Sequence, residues 1–304
     1  VWCGPDLADC TGRRFEVRNF SRYLAVIFVS LLVSQAALAQ LVTVKELEEM
    51  MEKGDVVVVS ARASKDYVKV HLPGAVNLWH KDLYKEGDIE ALIKSPEEIA
   101  EILGGLGITA DKTIVIYDSG KAKFAGRIYW ILKYMGAKDV RILDGHMKMW
   151  RKGRKPVTKD ETEITPAEFT ASPADSIYAS IDYVKSHMNN QDFVLVDARE
   201  EDEFIGKKGL TKRKGHIPGA IRIDYVEVMN EDGTMKSEED LTKVFSDAGV
   251  TPDKDVVLYC ESSVRAGIMY LALASILDYP RVRVYDGALY EWSADEANPV
   301  EKKE

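Results

Sequence analysis

Val256-Val257-Leu258-Tyr259-Cys260-Glu261-Ser262-Ser263-Val264-Arg265-Ala266 runs from a continuous apolar stretch through a short polar loop into a helix-like segment, residues 266–277. An unbroken Val/Leu run, rather than an alternating one, suits a strand buried on both faces of a parallel sheet. A strand ending at Tyr259 and a helix starting near Ala266 place Cys260 at the C-terminal edge of that sheet, where open α/β folds form ligand sites. Loop N–H groups and the positive helix end favour a thiolate there, and Arg265 adds a fixed cation. The stretch predicts an activated cysteine. The competing reading is a buried cysteine that merely ends a strand.

Outward from this stretch, the same order of features occurs twice. Val56-Val57-Val58-Val59 precedes Ser60-Ala61-Arg62, then His71-Leu72-Pro73-Gly74-Ala75, Thr113-Ile114-Val115-Ile116-Tyr117-Asp118, Asp144-Gly145 and Trp150. Phe193-Val194-Leu195-Val196 precedes Asp197-Ala198-Arg199, then Gly215-His216-Ile217-Pro218-Gly219-Ala220, the Cys260 stretch, Asp286-Gly287 and Trp292. Asp118 and Cys260 lie 142 residues apart, as do Gly145 and Gly287. Two copies of one domain account for this. Helix-like segments at 45–53, 95–103, 125–134, 181–188, 237–245 and 266–277 separate the apolar runs. The expected fold class is therefore α/β: two tandem domains, each a mainly parallel sheet flanked by helices, over residues 41–157 and 176–304. The aperiodic segment 158–175, with Pro166 and Pro173, is expected to link them.

Composition narrows the function. With 46% hydrophobic and 30% charged residues, the chain of 304 is neither disordered, collagenous nor a membrane bundle. Forty-one Lys+Arg against 50 Asp+Glu give a net charge of -9, which argues against a nucleic-acid partner. Three cysteines make no disulfide scaffold or zinc spacing, and His71, His80, His146 and His187 are scattered, so no metal or cofactor is expected.

Arg13, Arg14, Arg18 and Arg22, the apolar run from Leu24 to Val33, and Ala37-Leu38-Ala39 have the layout of a secretory signal. Residues 1–39 are expected to be removed, leaving no membrane span. An uncleaved anchor is the alternative, and no Cys follows the cleavage site to support lipidation. The first Met is Met50, and translation is expected to start at a non-AUG codon such as that of Val17. Cleavage removes Cys3 and Cys10, so Cys260 is the single thiol of an exported, periplasmic or extracytoplasmic protein.

Four residues separate Cys260 from Arg265, against five in the Cys-x5-Arg phosphate loop of cysteine phosphatases. The shorter ring suits a smaller group, such as the terminal sulfur of a persulfide. Together with Asp197-Ala198-Arg199, the Gly215 to Ala220 motif, Asp286-Gly287 and Trp292, this loop resembles the rhodanese family of sulfurtransferases, in its tandem-domain form, over nearly the whole chain after residue 39.

The resemblance implies that Cys260 takes a sulfane sulfur from thiosulfate, mercaptopyruvate or polysulfide and passes it to cyanide or a thiol, by covalent catalysis. It implies a silent first copy, where Asp118 stands in place of the cysteine and cannot carry sulfur. The loop after it, with Ser119, Gly120, Lys121 and Lys123, is expected to be solvated. Arg199 matches the arginine that the family places near the donor's anionic end. Arg265 would face it, and two guanidinium groups could grip a sulfonate or carboxylate. The alternative for Arg199 is an ion pair with Asp197 or Glu203. Asp197 is expected to be structural, His216 to pack or cap, and Glu261, Ser262, Ser263 and Val264 to line the donor site.

The loop departs from the tandem pattern at Glu261 and at Arg265, where tandem enzymes carry Thr. A carboxylate 4 Å from a donor charge, at an effective dielectric of 20, repels it by roughly 4 kcal/mol, so the donor stays open. Two other functions stay open as well. One is a non-enzymatic sulfur carrier or partner-docking module on the same scaffold. The other, a phosphatase or arsenate reductase, is disfavoured by the short loop and by the lack of an acid near it.

Overall fold

The structure, a computed structural model, describes residues 40–302. The expected signal segment lies outside the described residues. Each copy repeats the same elements. The first has β1 Leu41–Val42, α1 Val44–Lys53, β2 Val56–Ser60, α2 Ser64–Tyr67, β3 Val76–Asn77, α3 Pro96–Gly105, β4 Thr113–Tyr117, α4 Lys123–Tyr134, β5 Asp139–Leu143 and α5 His146–Lys152. The second has β6 Tyr178–Ala179, α6 Ile181–His187, β7 Phe193–Asp197, α7 Glu201–Phe204, β8 Ile221–Arg222, α8 Glu238–Asp247, β9 Asp255–Tyr259, α9 Ala266–Tyr270, β10 Val282–Tyr285 and α10 Ala288–Ala294. The strand orders are β1-β5-β4-β2-β3 and β6-β10-β9-β7-β8, and every pairing is parallel. Central strands β4 and β9 are buried on both faces, which is why their sequences run apolar without alternation.

Helix starts follow local chemistry. Thr43 and Ser95 form capping boxes with Glu46 and Glu98, and the Ser237 hydroxyl accepts the Asp240 N–H. Repeat-equivalent details recur too. Tyr117 and Tyr259 hydroxyls accept the N–H of Leu72 and Ile217, each at 3.1 Å, and Trp150 and Trp292 donate to Pro156 and Pro299 carbonyls. His71 and His216 stack on Tyr67 and Phe204 and bond backbone carbonyls, the packing role expected of His216.

One difference between the copies has a simple origin. From Asp118 to Gly126 the first loop holds one residue more than the stretch from Cys260 to Gly267. The second copy regains that residue inside its helix. After Tyr270, α9 continues as a π-helix, Leu271–Ile276, instead of the uniform α-helix expected over 266–277. A π turn is how a helix absorbs one inserted residue without losing its ends, and the 142-residue offset is restored by Gly287.

The copies pack through α4 and α9. A Cβ on Gly126 would run into the Ile268 backbone nitrogen, and one on Gly267 into the Gly126 carbonyl, so only glycine permits this crossing. The two Asp-Gly motifs reach across reciprocally: Asp144 accepts the Met235 N–H at 2.8 Å, and Asp286 accepts the Ile93 N–H at 2.9 Å. Arg127 on α4 closes a buried ion pair with Asp286 at 2.5 Å. The apolar core between the sheets is continuous from Ile128 and Ile131 to Ile268 and Leu271.

Candidate active site

Strand β9 delivers Cys260 to the sheet edge, and the residue is only 1% exposed beneath its own loop. Leu289 N–H, at the start of α10, donates to the Cys260 carbonyl, and Tyr290 N–H to that of Glu261. Ser263 adopts a left-handed φ of 52°, and its hydroxyl donates to the Tyr285 carbonyl. A left-handed residue in such a loop turns successive N–H groups toward one point and makes an anion-binding concavity. Among the described residues, no acceptor takes the N–H groups of Glu261, Ser262 or Ser263.

The first copy shows the same concavity filled. Ala122 holds the equivalent left-handed φ of 57°. Here the Asp118 carboxylate accepts the N–H groups of Gly120, Lys121, Ala122, Phe124 and Ala125 at 2.7–3.4 Å. The loop is exposed at Ser119 and Lys121, whereas Asp118 itself is 1% exposed, because five donors converge on it. The Asp118 side chain of the first copy occupies the concavity that the Cys260 loop of the second copy leaves open.

The arginines divide differently from the expectation. Arg199 keeps one buried nitrogen, Nη1, without a hydrogen-bond partner among the described residues. It is fully buried, its Nε and Nη2 bond the Asp197 carboxylate at 2.6–3.1 Å, and Nη2 also bonds the Gly215 carbonyl. The ion-pair alternative with Asp197 is the one the fold adopts, since a buried guanidinium needs a carboxylate. Arg265 lies at the mouth and makes a bidentate pair with Glu203 at 2.6 and 2.8 Å. Burial works against the Arg265 charge, but Glu203 and the adjacent Cys260 sulfur outweigh it and push its pKa up.

Glu261 is 4% exposed and directs Oε1 to the N–H groups of Leu210 and Thr211. Burial raises its pKa, the two N–H bonds oppose this, and the Glu203 charge adds to the rise. For Glu203, burial is outweighed by Arg265, and its pKa falls. Two carboxyls thus lie beside the loop. This corrects the expectation that no acid is near, which α7 defeats by bringing in Glu203 from sequence-distant residues. It also softens the expected repulsion of anions, because the Glu261 carboxyl is taken up by the N–H groups of Leu210 and Thr211.

Above the loop lies a cavity of about 650 Å³. Glu261, Ser262, Val264 and Arg265 line it, whereas Ser263, Arg199 and Cys260, buried beneath the loop, do not. Its opposite wall comes from the first copy, through Trp79, His80, Lys123 and Phe124, none of which the sequence pattern singled out as site-forming. His80 stacks on Phe124 at 5.1 Å, and its Nδ1 meets the Tyr84 hydroxyl at 2.6 Å. Burial first, then Arg127, Lys81 and Lys123, hold its pKa down at about 3, so it stays neutral. The missed signal was Lys123 and Phe124 lying in the loop equivalent to that of Cys260. No group of His, Cys, Asp and Glu among the described residues is arranged to hold a metal, and none of their helices is long and apolar enough to cross a membrane.

Known proteins place this geometry. The rhodanese-like domain family matches residues 43–153 and again 180–295. A "Putative thiosulfate sulfurtransferase" of Mycolicibacterium smegmatis is 33% identical over 76% of this chain and 86% of its own length. The "Sulfur carrier protein TtuD" of Thermus thermophilus is 34% identical over 77% and 86%. Among solved structures, an EanB variant with a cysteine persulfide, in a tetrahedral intermediate state with ergothioneine, superposes with a TM-score of 0.81 at 27% identity, covering 88% of this chain and 72% of that one. The chain belongs to the rhodanese family and carries two rhodanese-like domains in tandem.

Proposed function

We propose that the protein is an exported sulfurtransferase working through a Cys260 persulfide. The observation that carries this is the contrast between the two loops. Five N–H groups hold the Asp118 carboxylate in the first copy, and the matching concavity lies open around Cys260 in the second. With thiosulfate, the Cys260 thiolate attacks the outer sulfur, a Cys260–sulfur bond forms, and the S–S bond to the sulfonate breaks with its electron pair leaving on sulfite. The negative terminal sulfur then rests in the N–H concavity. Cyanide or a thiolate attacks that sulfur, thiocyanate or a new persulfide departs, and the thiolate returns to Cys260. With polysulfide the S–S bond to the shortened chain breaks in the same way; with mercaptopyruvate the C–S bond breaks, its electron pair leaves on the enolate of pyruvate, and the thiol proton ends on that carbon.

The test is thiocyanate formation from cyanide with each of the three donors, for wild type and Cys260→Ala. Wild-type turnover with at least one donor, lost in the variant, is expected. Absence of sulfur transfer from all three would remove the reading. The Thermus relative's printed name favours a second reading, a carrier that loads sulfur and hands it only to a partner. Mass spectrometry separates the two, because a carrier gains about 32 Da on Cys260 without turning over cyanide. Export is tested by locating the protein in cell fractions and sequencing its N-terminus.

A further inference from the structure

The cavity over Cys260 is lined by four cations, and three are already neutralised. Lys81 lies 3.4 Å from Glu90, Lys208 lies 2.8 Å from Glu200, and Arg265 is locked to Glu203. The remaining cavity carboxyl, Glu261, is engaged by Leu210 and Thr211 N–H. Lys123 alone has no carboxylate partner among the described residues; its ammonium lies 4.9 Å above the Phe124 ring. It belongs to the silent copy, at the first turn of α4, and the backbone on either side of it is fixed by N–H bonds to Asp118, three before it and two after.

We propose that Lys123 is the anion-binding residue of the donor site: the silent copy supplies the cation that holds the oxyanion end of the sulfur donor, a sulfonate or a carboxylate, while the second copy supplies the sulfur nucleophile. This rests on the sulfurtransferase reading and assigns the donor's anionic end to a residue that, unlike the buried Arg199, lines the cavity. Burial, Arg265 and Lys121 lower the Lys123 pKa, with Cys260 and Asp118 opposing. An ammonium that is half-desolvated and crowded by other cations is stabilised by an incoming anion. With Lys81, Lys208 and Arg265 each held by a carboxylate, Lys123 is the cavity cation whose donors stay available to an anionic ligand. The aromatic ring beneath it holds the side chain over the cavity without cancelling that charge.

The experiment separates this inference from the sulfur chemistry. In the full chain, Cys260 is alkylated by iodoacetate, an anion, and by neutral iodoacetamide, and the modified cysteine is quantified by mass spectrometry. Both reagents form the same S–C bond with loss of iodide, so their rate ratio reports the local attraction for an anion. Lys123→Ala is expected to lower the iodoacetate rate about tenfold and to leave the iodoacetamide rate unchanged, with Lys123→Arg restoring the ratio. In steady state, Lys123→Ala should raise KM with thiosulfate and with mercaptopyruvate at unchanged kcat. The two arms show which oxyanion, sulfonate or carboxylate, depends on it more. A ratio and a KM indifferent to Lys123→Ala, or two alkylation rates falling together, would overturn the proposal. If wild type moves no sulfur but the ratio depends on Lys123, the anion site stands and the sulfurtransferase reading falls.

Discussion

Glu261 follows the nucleophile directly, yet its carboxyl turns from the sulfur to the N–H groups of Leu210 and Thr211. Its pKa lies above the ordinary 4.5, chiefly through burial, so the folded state binds its proton more tightly than the unfolded state does. Stability therefore falls as pH rises from 4.5 through the raised value, and the full cost is present above it. Glutamine keeps the oxygen acceptor, offers Glu203 an N–H donor, and does not titrate. Glu261→Gln is expected to raise Tm by about 2–4 °C at pH 8 and to leave it unchanged below pH 4.5, measured by thermal unfolding across pH. A Tm equal to wild type at pH 8 would show that Glu261 is ionised without cost. The neighbouring Glu203 has the opposite sign, because its lowered pKa makes its pair with Arg265 a stabilising contact at neutral pH and one lost on acidification.

At the level of elements, the sequence showed those whose apolar runs are long enough to carry a pattern. The central strands β2, β4, β5, β7, β9 and β10, and the helices α1, α3, α4, α6 and α8, lie within a few residues of their expected places. The two-residue strands β1, β3, β6 and β8 and the four-residue helices α2 and α7 are too short for periodicity to mark them. The site was legible where it is local, from Cys260 to Arg265. It was not legible where side chains converge from afar, as Glu203 does on Arg265 and as Trp79, His80 and Phe124 do in the opposite wall. The Arg199 pair with Asp197, two residues away, was among the sequence's alternatives. Gly126 and Gly267 were visible only as an alignment anchor, and their cause is the contact of two helix backbones. Gly267→Ala must push α9 away from α4 because the obstructing atoms are main chain. The expected loss is about 1–3 kcal/mol in urea unfolding. Sulfur transfer should fall as well, since α9 carries the end of the Cys260 loop. A variant with full stability would mean that the helices can separate freely.

For the whole molecule, the cavity exists only while the two copies stay docked, because one wall is the loop that follows Cys260 and the other carries Lys123 and the aromatic residues. Docking depends on apolar packing around Ile128 and Ile268, on the Asp144 and Asp286 bonds to Met235 and Ile93 N–H, and, among the described residues, on one buried ion pair, Arg127 with Asp286. That pair is incompletely satisfied. Arg127 Nη2 also reaches the Ala91 carbonyl, but its Nε and Nη1 have no hydrogen-bond partner, and the guanidinium otherwise faces the rings of Tyr84 and Trp130. Removing one partner strands a charge in the interface, whereas replacing both by apolar groups also removes the desolvation cost. Asp286→Ala is therefore expected to cost about 3–5 kcal/mol, and Arg127→Met alone to cost less, because Asp286 keeps the Ile93 N–H. In the double variant much of the Asp286→Ala loss should return, giving a coupling of about 2–3 kcal/mol in a double-mutant cycle by chemical denaturation. Additive losses would show that the pair does not act as a unit and that the remaining contacts hold the copies together.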